Sequence, residues 1–361
     1  MKILGRRGFA LVVCVPVVCA PVWARAQQGQ QTPDQAPGPA AAANVNVARR
    51  IQLNVMVTDK AGNPVAGLTQ QDFTLLDNKQ SAPIVDFHAY SGDVQPSDPA
   101  QAIVVVDSAN MPYTDAQRSL IGIDRFLREN GGHLAVQTAV VVLDDTGIKG
   151  DFETATNGNA LADDLKKNGT HFRAIGTSAA GWGEVERFQL SVEAMTTVMQ
   201  KLVQQPGRKL VLWVGPGWPL LNGTNMLLSP RAQMGDFNEI LYFSQMLRQE
   251  QITMYSVALG QPDLHTVLYH GFLKGVKSSR EALPSHLNTK VLVTESGGLV
   301  LGPDNDLTPQ LDNCFRDAST YYTLSFDPPR PDKRDEYHDL QVVVDKPGLT
   351  VRTNTGYYAE P

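Results

Sequence analysis

The stretch Ala102-Ile-Val-Val-Val-Asp107, followed by Ser108-Ala-Asn-Met111, decides how this chain folds. An unbroken apolar run this short, rich in β-branched residues, reads as a strand covered on both faces. It ends on a carboxylate, and a helical stretch at 115–129 comes next. A strand, a loop and a helix in that order make the first half of a parallel βαβ unit.

Working outward, the same alternation continues. Strands are predicted at 103–106, 138–143, 210–214, 253–259 and 291–294, with a short one at 298–301. Helices fit 115–129, 159–167, 184–204, 235–250 and 308–318. The fold class is therefore α/β, a doubly wound and mostly parallel sheet with helices on both faces. On either side the period changes from helical to two. Ile51, Leu53, Val55 and Val57 alternate with Gln52, Asn54, Met56 and Thr58, the mark of a half-buried strand. Turn chemistry at 59–64, a capped single turn at 68–73, and strands at 73–76 and 84–89 follow. Too few strands lie here to bury a core. The missing ones stand at the other end, at 321–326, 340–344 and 350–358. Both ends together predict one β-sandwich, with the α/β region inserted between them.

The first residues read as an export signal. Lys2, Arg6 and Arg7 precede an apolar run at 9–22 that is short for a membrane span, and Ala24-Arg25-Ala26 supplies a cleavage pattern. Arg6-Arg7-Gly8-Phe9 also resembles part of a twin-arginine signal, so the export route stays open. Removal of 1–26 takes Cys14 and Cys19 away, leaving Cys314 and no internal disulfide. It also takes four basic residues and no acid, so 27 basic face 37 acidic side chains, a balance of −10. That balance disfavours nucleic acid and anionic lipid as partners. Residues 27–48 begin with a Gln/Pro/Ala/Gly-rich stretch and read as a disordered linker. The expected organisation is a signal peptide at 1–26, the linker at 27–48, sandwich segments at 49–95 and 320–361, and the α/β domain at 96–319. The expected address is periplasmic or secreted, with no membrane span in the mature chain.

A strand ending in Asp at the head of such a sheet resembles the opening of a von Willebrand factor type A domain. The export leader, the Val57-Thr-Asp-Lys-Ala-Gly-Asn-Pro-Val65 strand and turn, Pro206-Gly-Arg-Lys209, Gly215-Pro-Gly-Trp-Pro219 and Gly356-Tyr-Tyr358 together resemble the type A-related family described from acidobacteria. The resemblance covers about residues 49–361. It implies a Rossmann-like domain on a β-sandwich, with no assigned reaction. It also implies where a magnesium ion would sit. In competent type A domains the first strand ends Asp-x-Ser-x-Ser, and those oxygens hold the metal that grips a partner's carboxylate. Here Ala109 and Met111 stand at the two serine positions. Asp107 matches the first ligand and Thr177 is placed to match a second-loop threonine. The fourth strand exits into Val214-Gly-Pro-Gly217 without a carboxylate. Ser108 and Asn110 carry oxygens at the wrong spacing. Magnesium wants six oxygens, so Asp107, Ser108, Asn110 and Thr177 are vestigial candidates. The expectation is no metal and no cofactor, with Asp107 bonded to neighbouring loop amides.

Catalytic constellations are poor. Asp144 and Asp145 form a carboxylate pair beside Gly147, which reads first as a solvated turn and second as a hydrolytic acid–base pair. The seven histidines show no helical pair four apart, no Gly-x-Ser-x-Gly is present, and no phosphate loop follows the first strand. What remains is surface. Gly215-Pro-Gly-Trp218-Pro219 and the glycine-rich 169–183 segment, with Phe172 and Trp182, leave the carboxyl edge of the sheet, where doubly wound folds bind ligands. Phe172, Trp182 and Trp218 are the candidate anchors for a protein partner, against the alternative that the tryptophans pack over loop backbone. The expected function is a non-catalytic interaction or adhesion protein. A metal-dependent adhesin with atypical ligands, a structural cell-envelope component and a hydrolase using Asp144 and Asp145 stay as alternatives.

Overall fold

The computed structural model describes residues 49–92, 94, 96–168, 182–203, 205–221, 229–260 and 266–359. The leader and the linker lie outside these residues. At the centre, β5 (Gln101–Asp107), β6 (His133–Asp144), β9 (Lys209–Val214), β10 (Ile252–Leu259) and β11 (Val300–Asp304) pair in parallel in the order β11-β10-β9-β5-β6. β7 (Gly147–Lys149) and β8 (Ala155–Asn157) add to β6 in antiparallel sense.

Period two sorts each central strand between two cores. Ile103, Val105, Val211, Trp213 and Met254 face one side, beneath α3 (Trp182–Leu202), α4 (Pro230–Gln249) and α6 (Thr289–Glu295). Val104, Val106, Leu212, Val214 and Val257 face the other, beneath α1 (Tyr113–Arg128), α2 (Gly158–Asn168) and α7 (Thr308–Ser319). Covering both faces explains the unbroken apolar run at 102–106, and each fully buried Val or Ile adds about 1.5–3 kcal/mol. A single-turn helix, α5 (Thr266–Tyr269), follows β10. Among the described residues, no helix is long and apolar enough to cross a membrane.

Strands from the two ends of the chain share a third core. β1 (Ile51–Thr58) lies between β12 (Tyr321–Phe326) and β14 (Thr350–Arg352), and β12 also pairs with β4 (Asp86–Tyr90). The facing sheet has the order β15 (Gly356–Ala359), β13 (Glu336–Val344), β2 (Phe73–Asp77), β3 (Gln80–Ala82). Leu53, Val55, Leu75, Leu324, Phe326, Val342 and Tyr357 fill the space between the sheets. The turn before β2 carries a capping box, with the Thr69 amide donating to Asp72 Oδ2 at 2.7 Å.

Two sequence expectations are corrected. Residues 291–294, read as a strand, belong to α6. The Asn288 side chain caps that helix by accepting from the Lys290 amide, and the helix is buried on every side from Thr289 to Val293. Residues 350–358, read as one strand, form β14 in one sheet and β15 in the other. The chain crosses between sheets at 353–355, where the Thr355 amide donates to Glu295 O.

A buried polar cluster joins the sandwich to the α/β layer. Asp317, on α7, accepts from Arg352 at 2.8 and 2.9 Å and from the Tyr255 hydroxyl at 2.7 Å. Arg208 donates to the Asp317 carbonyl and lies 4.5 Å over the Tyr321 ring. Buried charges matched this closely tie β14, β10 and α7 together.

Candidate functional site

The carboxyl edge of the central sheet is organised around Asp107, whose side chain is fully buried at 0 % exposure. The loop after β5 is pinned to the end of β6. The Ser108 and Ala109 amides donate to Leu143 O at 2.9 and 3.1 Å, and Ser108 Oγ donates to the same carbonyl at 2.7 Å. Asn110 then folds back over Asp107. Its amide nitrogen Nδ2 sits 2.8 and 2.9 Å from the two carboxylate oxygens, and its backbone N–H adds a bond of 3.2 Å. From below, Trp213 Nε1 on β9 donates to Asp107 Oδ2 at 2.7 Å. Asn110 Nδ2 also reaches Ser191 Oγ on α3 at 2.9 Å, and Ser191 donates to Arg187 O. Burial pushes the Asp107 carboxyl up to about 6, while the bonds from Trp213 and Asn110 pull against that rise.

Met111 is buried, and its sulfur accepts from Ser119 Oγ at 3.6 Å. Gly215, with φ +146°, lies so close that a Cβ there would stand 3.0 Å from the Asp107 Cβ. Protein N–H groups occupy the place at Asp107 where a cation would bind. N–H donors already engage both carboxylate oxygens. A cation needs converging lone pairs, whereas the described residues here converge N–H groups on the Asp107 carboxylate.

The other sequence candidates separate. Thr177 and Phe172 lie outside the described residues. Trp182 is the first residue of α3. Trp218, carried as a candidate anchor beside the alternative that it packs over loop backbone, is 2 % exposed. Its indole donates to Leu287 O at 2.8 Å, Asn288 Nδ2 donates to its carbonyl at 3.2 Å, and its ring meets Trp213 edge-on at 5.0 Å. Gly217, at φ +77°, lets Thr289 approach the loop closely, and this folds the glycine-rich segment down onto α6. Trp218 therefore covers Trp213, the residue that holds Asp107, which is the packing alternative. Asp144 accepts from the Thr146 amide and hydroxyl at 2.7 and 2.6 Å, closing the β6–β7 hairpin.

Sequence reasoning missed two residues. Trp213 looked like an ordinary member of an apolar strand; only pairing beside β5 aims its indole at Asp107. Tyr113, at the start of α1, is 61 % exposed at this edge. An aromatic one residue after Met111-Pro112 was its only sequence signal.

No known protein-family model matches the chain, and no curated protein matches it. Among solved structures it is similar to the human COPII-coat protein Sec24c, at 9% identity and a TM-score of 0.35, covering 74% of this chain and 44% of that one. It is also similar to the TFIIH p34 N-terminal domain, at 10% identity and a TM-score of 0.28, covering 60% and 96%. A third is the pilus adhesin SpaC from Lactobacillus rhamnosus GG in its open conformation, at 10% identity and a TM-score of 0.28, covering 81% and 48%. The chain thus spans less than half the length of the Sec24c and SpaC chains. Likenesses this distant carry no argument about partner or reaction.

Proposed function

We propose that this chain is an exported, non-catalytic interaction protein. In this reading it is a type A-like domain of the von Willebrand factor kind, carried on a terminal β-sandwich, and it docks a protein partner at its carboxyl edge without a metal. The observation that carries the reading is the state of Asp107. Among the described residues, the carboxylate at the position that would anchor a cation is buried and held by Asn110 and Trp213, which leaves a partner's carboxylate no metal to reach. Asp144, the other acidic candidate, is spent on its own hairpin turn. With ion-mediated grip removed, affinity falls to apolar burial and hydrogen bonds, and an exposed aromatic anchor supplies the largest share. Tyr113 replaces Trp218 in that role.

The test is capture of a partner from the cell-envelope extract by the immobilised chain, with and without a chelator. Capture that survives chelation and weakens at least about tenfold in Tyr113→Ala supports the reading. Capture abolished by chelation sinks it in favour of a metal-dependent adhesin.

A further inference from the structure

One flank of the α/β layer departs from the rest of the surface. Ten large apolar side chains are exposed among the described residues, and four of them, Met234, Val267, Leu268 and Leu283, lie in the first turns of α4 or within 266–283. Val267 is 77 % exposed, on the single turn of α5.

Side-chain contacts bring these segments together. Gln233 Nε2 donates to Arg280 O at 3.2 Å, tying α4 to the 277–283 turn. His286 meets the Phe272 ring edge-on at 5.2 Å and accepts from the Leu283 amide at 3.2 Å. Leu268, on α5, leads directly into the 3-10 turn at 270–272 that carries Phe272.

The charge here runs against the whole molecule. The chain has 37 acidic against 31 basic residues, whereas the exposed charges at 267–286 are Lys274, Lys277 and Arg280 against Glu281, and the first turns of α4 add exposed Arg231 against exposed Glu239 and half-buried Asp236. None of Lys274, Lys277 and Arg280 makes an ion pair among the described residues, although the Lys277 amide donates to Glu281 at 3.2 Å. The acid excess of the full chain disfavours anionic lipid at long range. Within a Debye length of about 8 Å, the local balance governs.

We propose that this flank seats the protein on an anionic bilayer surface, with Val267 and Leu268 entering the interface and Lys274, Lys277 and Arg280 meeting lipid phosphates. Two features favour a bilayer over a folded partner. The most exposed apolar residue projects from a single turn, which suits a fluid surface. The unpaired cations match a lipid headgroup layer of opposite sign, and cations bordering an apolar tip are what interfacial seating needs. The proposal does not rest on the carboxyl-edge docking reading.

Co-sedimentation of the purified chain with vesicles tests it, using phosphatidylcholine alone or mixed with phosphatidylglycerol. The expected result is binding to the mixed vesicles only, weakening as salt rises. Lys274→Glu, Lys277→Glu and Arg280→Glu together lower partitioning on the order of 100-fold. Val267→Ser with Leu268→Ser lowers it by at least about tenfold. These positions are exposed, and circular dichroism checks that each variant remains folded. No binding to mixed vesicles, or binding untouched by the charge reversal, overturns the proposal. So does a dimer in sedimentation equilibrium that the same variants dissolve while vesicles bind nothing, because the flank then covers a second copy. Partner capture and vesicle binding are separate readouts, so the failure of one is distinguishable from the failure of the other.

Discussion

Replacing Asp107 by asparagine tests the electrostatics of the carboxyl edge through pH. Burial raises this carboxyl from 3.8 to about 6 in the folded chain. An acid whose folded pKa lies above its unfolded value binds its proton more tightly in the native state. Its contribution to stability is therefore most favourable below about pH 4 and is lost as pH rises through 6. Two units at about 1.4 kcal/mol each make a loss of about 3 kcal/mol. Asp107→Asn removes the titration and keeps the shape. The variant keeps one oxygen for Asn110 or Trp213 and gives up the other, a constant offset of about 1 kcal/mol. The readout is therefore the slope. Urea unfolding at intervals between about pH 4 and pH 7, variant minus wild type, should show a stability difference that rises by about 3 kcal/mol in the variant's favour. A difference flat across that range would refute the reasoning, because Asp107 would then ionise as easily folded as unfolded.

Two further outcomes follow from the packing. Asp317→Ala leaves Arg352 and the Tyr255 hydroxyl buried without their acceptor and should cost about 3–5 kcal/mol in urea unfolding, with Asp317→Asn costing less. Trp218→Ala should cost about 3–5 kcal/mol by opening a cavity over Trp213, seen as a lowered midpoint and altered tryptophan emission. A Trp218→Ala protein of unchanged stability would show that the loop does not pack as described.

Strand β5 and its neighbours were legible because both of their faces are covered, which forces apolar residues at every position. The shared sandwich was legible from arithmetic, since neither end had strands enough for a core. The failures have physical causes. Val291-Leu-Val293 carries no period in so short a run, so a buried helix turn and a buried strand look alike. The Asn288 cap was the signal that separates them. Between Arg352 and Gly356 the sequence shows no break, and the switch of sheets depends on Gly297 and Glu295 meeting the chain from the other layer. At the site, Asp107 stood out as a strand-end carboxylate, but its partners did not. Trp213 reaches it only through strand pairing. Trp218 stayed open between anchor and packing because a glycine- and proline-rich loop can project or fold back, and Gly217 lets this one fold onto Thr289.

The central claim is that protein N–H groups hold Asp107 where a cation would otherwise be gripped. Thermal unfolding with and without millimolar magnesium or calcium tests it most directly. A ligand at 100 times its dissociation constant would add about 2.7 kcal/mol, enough to move the midpoint by a few degrees. The account predicts no shift for either ion, in wild type and in Asp107→Ala alike. A clear rise in the wild-type midpoint that disappears in Asp107→Ala would contradict it.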